Sequence, residues 1–396
     1  MPSLPGRAVG LVVLLFIVNG LANAVFTPFA PAILVERGVS PTWLGVMGAL
    51  VSVVYVGLAG AWGHLADVLL GRGRALALAI GLAAALLAVF TLPLPLVGIG
   101  LMYMAFSTVY GVLFPLQDAL AVNTLPDPGR QYGQVRALQS GAFAVGSLLA
   151  GAIFERLGYG AAVPVFIVLA LPVIVVALVI PDAERARLSA RRRGGAMREA
   201  LALQPRLPRV LLALGLANVG VFAMLTFLPL LIDRLGGRSG DIGLAVAVTA
   251  AVEVAALPIV SRLLVRFGAR AVVTLGSGLL AAVFAGLALA PSPEVVIVVA
   301  VLYGVAWSAM WAGAVTTMGL LLPPALQGSG QGLLSLATAG VSSFVANVLG
   351  GVLWSGLGPL ALFGLAAGCA AVGAATAWSS LAPDGPTMGV AEVIAT

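Results

Sequence analysis

Long apolar runs recur along the whole chain, separated by short polar breaks rich in glycine, proline and charge. Most runs reach the roughly 18–20 residues that a helix needs to cross a ~30 Å hydrocarbon layer. Read between the breaks, they predict twelve membrane-spanning helices over 8–34, 42–67, 74–94, 96–124, 134–157 and 160–181, then 209–233, 241–264, 271–290, 295–321, 328–354 and 359–381. The expected fold class is therefore an all-α membrane protein.

The breaks carry the topology. Arg37, Arg156, Arg234 and Arg238 fall in alternate breaks on one side, and the other sixteen of the twenty basic residues fall on the opposite side. Basic residues stay on the cytoplasmic face, so both termini are expected there, in a bacterial inner membrane. The longest polar stretch, 182–208, holds Arg185, Arg187, Arg191, Arg192, Arg193, Arg198 and Arg206. It separates a six-helix bundle over 1–181 from a second over 209–396, and its charge suits a solvated linker against anionic lipid. Ala22-Asn23-Ala24 imitates a signal-peptide cleavage site. The first span has a counterpart in the second half, however, so it is expected to be retained.

That counterpart belongs to an internal repeat. At a constant offset of 198, Phe29, Pro31, Gly38, Gly45 and Leu65 meet Phe227, Pro229, Gly236, Gly243 and Leu263, and Leu44 meets Ile242. Gly133-Gln134 meets Gly330-Gln331 at an offset of 197. Two collinear sets of six spans in the same orientation imply a parallel repeat, and such repeats build transporters with a midplane binding site.

Composition narrows the class. Of 396 residues, 61% are hydrophobic and 9% charged, and the mean hydropathy is +1.14. A soluble domain carries about 25% charged residues, so a soluble fold is excluded. The 50 glycines suit close approach of membrane helices. All the basic residues are arginine, and the net charge of +6 is spread over loops rather than gathered on one face, so no nucleic-acid partner is expected. One cysteine, Cys369, and one histidine, His64, offer neither a disulfide nor a metal-ligand spacing. No nucleophile and base converge, so neither an enzyme nor a cofactor is expected.

Gly63-His64-Leu65-Ala66-Asp67, followed by Gly71-Arg72-Gly73-Arg74, resembles the loop signature G-x-L-A-D-R-x-G-R-R of the major facilitator transporters. Here Val68 replaces a basic residue, and one extra residue precedes Gly71. The second-half copy keeps Leu263, Arg266, Gly268 and Arg270 but has Val265 in place of the acid. The resemblance implies a cytoplasmic latch built on Gly63, Asp67, Gly71, Arg72 and Arg74; the plain alternative for Asp67 is a helix-end charge among headgroups. A narrower stretch, Pro115-Leu116-Gln117-Asp118 through Tyr132-Gly133 and Arg136 to Ser140-Gly141, looks like the phenylpropionate-permease branch, related to lactose and nucleoside proton symporters. The fifth span has no proline and so departs from the drug-antiporter signature.

Polar groups inside the spans need explaining, because an ionisable residue at helix centre costs about 2.5–3.5 kcal/mol on insertion scales. Glu253 stands mid-span among apolar and small neighbours. It either exchanges a coupled proton as water access alternates or makes a hydrogen bond across a helix contact. Asp118 and Arg136, near the cytoplasmic ends of the antiparallel spans four and five, are either a structural ion pair or a pair that changes partners during transport. Neutral polar residues recur at helical spacing: Asn19, Asn23 and Thr27; Tyr103, Ser107, Tyr110 and Gln117; Asn218 and Thr226; Tyr303, Trp307 and Trp311. Each stripe alone could be glue between helices. By the same resemblance, spans one, four, seven and ten line a central cavity, so these residues are candidates for substrate binding.

The expectation is a monomeric secondary transporter working by alternating access, with protons and a small organic solute (sugar, nucleoside or aromatic acid) as partners. An exporter driven by proton antiport is the alternative. A receptor built on the same fold would need a large soluble domain, and the longest loop spans only 182–208.

Overall fold

The computed structural model describes residues 5–180 and 195–381, except the side chains of 5, 59–64, 67, 68 and 128–130. Most of the linker and the Gly63 and Asp67 positions of the latch (Asp67 in its side chain) therefore lie outside the described residues. Every regular element among the described residues is helical. In chain order the α-helices are α1 (Pro5–Phe26), α2 (Ala30–Glu36), α3 (Pro41–His64), α4 (Arg72–Phe90), α5 (Leu96–Gly111), α6 (Leu113–Thr124), α7 (Pro128–Leu157), α8 (Ala162–Val179), α9 (Ala196–Leu203), α10 (Leu207–Arg234), α11 (Ser239–Ala288), α12 (Pro293–Leu321), α13 (Pro324–Ser335), α14 (Ser343–Gly356) and α15 (Pro359–Ser380). Wider π-helical turns extend α3 over Leu65–Leu70 and join α13 to α14 over Leu336–Ser342.

Eleven continuous helical segments among the described residues are long and apolar enough to cross a membrane. The 50-residue α11 holds two of the expected spans, 241–264 and 271–290, because Gly268 at φ 77° breaks the helix between them. The twelve spans are thus all present. α1 with α2, α5 with α6, and α13 with α14 each make one span from two pieces.

The repeat is written into the backbone as well as the side chains. Left-handed glycines recur in pairs: Gly38 and Gly236 (φ 87° and 84°), Gly71 and Gly268 (81° and 77°), Gly158 and Gly358 (75° and 81°). Only glycine enters that region without a Cβ clash, so each pair stops or starts equivalent helices. The first pair closes its helix identically: Gly38 N–H donates to Val35 and Val39 to Leu34, as Gly236 donates to Asp233 and Gly237 to Ile232.

Packing divides the chain into two compact units. One comprises Met1–Val39, Val53–Arg191 and Arg238–Ala247; the other comprises Ser40–Ser52, Arg192–Gly237 and Val248–Thr396. In the first, α1 packs on α7 and α8, and α4 on α5, α6 and α8. Its core is aromatic: Phe106 meets Phe26 at 4.8 Å and Phe166 at 5.8 Å between ring centres, and Phe29 meets Phe154 at 4.9 Å. In the second, α10 packs on α14 and α15, and Phe227, the repeat partner of Phe29, stacks on Trp354 at 5.5 Å.

Small residues let the helices approach. A Cβ on Gly20 of α1 would stand 2.6 Å from the Gln139 carbonyl of α7, and one on Gly304 of α12 would stand 2.8 Å from the Thr249 carbonyl of α11. Both contacts set the positions of the polar groups described next.

Candidate functional site

Each unit carries its own buried polar cluster. In the first, α1, α6 and α7 bring together Asn19, Gln117, Asp118, Tyr132, Arg136 and Gln139. Asn19 Nδ2 donates to Gln117 Oε1, and both residues are almost wholly buried. Arg136 Nη1 lies 3.8 Å from Asp118 Oδ1 and donates to Gln139 Oε1 at 2.5 Å. Tyr132 hydrogen-bonds Asp118, and the Arg136 guanidinium sits 5.7 Å over the Phe114 ring. Charge is therefore balanced locally. The pair is not sealed, since the Arg136 and Asp118 side chains keep 43% and 32% of their exposure.

The close α1–α7 approach at Gly20 brings the Gln139 backbone against α1 beside Asn19. Gln139 was absent from the sequence candidates. Its signal was its place three residues after Arg136, on the same helix face.

In the second unit, Tyr303, Trp307 and Trp311 stack along one face of α12. Ring centres are 6.4 and 5.2 Å apart and successive planes lie within 15°. The crossing at Gly304 holds this ladder against α11, where Glu253 sits half-buried. Ser308 Oγ reaches the Glu253 carbonyl at 3.2 Å, and the Glu253 carboxylate acts electrostatically on Tyr303. Ladder and carboxylate thus form one neighbourhood. Asn218 of α10 lies beside it on the other flank of α12: its Nδ2 donates to the Leu214 carbonyl at 2.8 Å and lies 3.8 Å from Met310 Sδ.

The remaining candidates are placed differently. Asn23 Oδ1 accepts from Thr27 Oγ1 at 2.7 Å, just past the end of α1. Tyr103 and Ser107 hydrogen-bond each other on α5. Tyr110, expected beside Ser107 as a substrate contact, is 4% exposed and packs in the aromatic core, stacked on Phe106 at 5.2 Å and edge-on to Phe166. A tyrosine ring is largely apolar, and this position packs it against the rings of Phe106, Phe114 and Phe166. Of the latch, Gly71 caps α4, Arg72 Nη1 donates to the Ala119 carbonyl of α6 at 3.1 Å, and Arg74 is exposed.

A second polar chain was not anticipated. Thr226 Oγ1 donates to Asn347 Oδ1 at 2.9 Å, Asn347 Nδ2 donates to the Ser343 carbonyl at 2.8 Å, and Ser343 Oγ lies 2.8 Å from Ser52 Oγ. It links α10, α14 and the middle of α3. Ser343 and Asn347 are four residues apart, on a face of span eleven different from the Gln331, Ser335, Thr338 and Ser342 stripe that the sequence offers.

A polytopic helical protein with a six-plus-six repeat and a buried polar cluster in each unit has the make-up of a secondary transporter. Residues 10–365 match the MFS_1 like family, and the chain belongs to it. No curated protein matches its sequence. Among solved structures, a point variant of the nucleoside transporter NupG is similar at a TM-score of 0.82 with 15% identity, covering 95% of this chain and 100% of that one. A POT family transporter in complex with 5-aminolevulinic acid reaches 0.71 at 12% identity, covering 93% and 95%. A bacterial homolog of the human lysosomal transporter Spinster reaches 0.65 at 14%, covering 96% and 94%. The protein is therefore a multi-pass membrane transporter of the major facilitator fold and not an enzyme.

Proposed function

We propose that this transporter moves a small organic solute with an aromatic or hydroxylated body, a nucleoside foremost, together with protons into the cell. The observation that carries the reading is the neighbourhood of Glu253 and the Tyr303–Trp307–Trp311 ladder. Three nearly parallel, stacked rings form an aromatic column against which a planar ring can pack, and base–aromatic stacking contributes about 1–3 kcal/mol per contact. The adjacent carboxylate supplies a titratable acceptor. The amide and charge cluster of Asn19, Gln117, Asp118, Arg136 and Gln139 supplies donors and acceptors of the kind that pair with hydroxyls. The similarity to NupG supports a nucleoside, at the level of fold alone.

In this reading the bundles 1–181 and 209–396 alternate access to a midplane site, with termini and linker in the cytoplasm and the chain acting as a monomer in the inner membrane. Glu253 takes a proton when one side is open and releases it when the other is, so its charge is tied to conformation. Asp118 and Arg136 exchange partners as substrate arrives, and Arg72 and Arg74 with Asp67 latch the cytoplasmic side. Uptake of labelled nucleosides, sugars and aromatic acids into proteoliposomes, with and without an inward proton gradient, tests it. Gradient-driven accumulation of one class is the expected result. Export, or uptake of none, overturns it.

A further inference from the structure

Two helix crossings lie at the ends of the spans opposite the 182–208 linker, and the repeat makes them equivalent. In one, α3 crosses α14: a Cβ on Gly351 would stand 3.0 Å from the Thr42 carbonyl, and Gly45 faces Gly351. In the other, α11 crosses α7: a Cβ on Gly243 would stand 3.1 Å from Gly151 Cα. Gly45 and Gly243 are the pair related by the offset of 198.

Each crossing is closed by a hydroxyl on a glycine carbonyl. Thr42 Oγ1 donates to Gly351 at 3.3 Å, and Ser239 Oγ donates to Gly151 at 3.1 Å. One turn beyond that carbonyl the two part company. On α14, Ser355 Oγ accepts from Thr42 at 2.8 Å. On α7 the equivalent position is Glu155, which accepts from Arg238 Nη1 at 2.9 Å. Gly240, the repeat partner of Thr42, leaves the room, for a Cβ there would stand 2.6 Å from Glu155 Oε2. Asp241 orients the arginine by accepting its backbone N–H at 2.8 Å. One crossing is therefore tied by neutral hydroxyls and the other by charges.

We propose that Arg238–Glu155 is an ionic latch on the α7–α11 crossing, so that parting of these helix ends in the transport cycle depends on ionic strength through this crossing and not through the α3–α14 crossing. The proposal rests on the alternating-access reading. The side chains are 76% and 38% exposed, and salt screens an exposed pair strongly. For an exposed pair, screening changes the ratio of parted to joined states by roughly 1.4- to 5-fold.

The test is double electron–electron resonance between spin labels at Leu157 and Leu289, in a Cys369→Ser background without substrate. Wild type should show two distance populations, the longer rising 1.4- to 5-fold from low to high salt. Glu155→Gln and Arg238→Gln should each show the raised population at every salt concentration, and the charge reversal Glu155→Arg with Arg238→Glu should restore the salt response. Thr42→Val should leave that response intact. Two populations whose ratio and salt response ignore Glu155→Gln would overturn the latch alone. A single population unmoved by salt or variant overturns alternating access, and the latch with it.

Discussion

Asp118 and Arg136 face each other 3.8 Å apart between α6 and α7, and Gln139 grips the same guanidinium from one turn further along α7. Removing one member of such a pair strands the other in a site that is only partly wet. Arg136→Gln should therefore cost more stability than Asp118→Asn with Arg136→Gln together. With the partial exposure of both groups, the difference is on the order of 1–2 kcal/mol. Thermal unfolding in detergent checks it, and equal midpoints for single and double variants would make the pair inert.

Gly20 sits where α1 meets the Gln139 backbone, whereas nothing lies within 4 Å of a Cβ added at Gly141 on α7. Gly20→Val forces the helices apart and should destabilise by about 1–3 kcal/mol. Gly141→Ala should be neutral or stabilising by up to about 1 kcal/mol, because helix interiors disfavour glycine. Melting temperatures of the two variants, compared with wild type, should move in opposite directions or leave Gly141→Ala in place.

Stacking on the ladder should be graded. If the transported solute carries a planar ring, Trp311→Ala should raise its half-saturating concentration about 5- to 160-fold, at about 1–3 kcal/mol per lost stack, while Trp311→Phe keeps most of the affinity. Binding calorimetry reads both. Equal losses in the two variants would mean that the ring is packing and not platform.

The topology is open to labelling. Single cysteines at 189 and 237, in a Cys369→Ser background, should react with an impermeant maleimide from opposite sides of intact cells, 237 from outside. Reaction of 189 from outside would invert the orientation.

Much of this architecture was legible in the chain, and the reason is physical. Twelve apolar runs follow from the thickness of the hydrocarbon layer, the arginine bias from the retention of basic loops in the cytoplasm, and the 198-residue offset pairs Gly38 with Gly236 in cap geometry as well as in sequence. The approach of Asp118 to Arg136 also followed, because antiparallel neighbours bring those heights together. Tyr110 did not follow. Its spacing from Ser107 places it on a polar stripe, but the neighbours that decide its fate, Phe106 and Phe166, come from elsewhere in the packing. The Thr226–Asn347–Ser343–Ser52 chain and the Arg238–Glu155 pair join residues far apart in sequence, and one chain without its contacts carries no sign of them.

Proton movement tests the account at its centre. In lightly buffered proteoliposomes with no imposed gradient, adding the accumulated solute outside should raise the external pH as protons enter with it. Glu253→Gln, which imitates the protonated carboxyl, should abolish the rise while leaving solute exchange across the membrane intact. A rise that persists in Glu253→Gln would make Glu253 structural. An external acidification in wild type, with protons leaving as solute enters, would contradict symport itself.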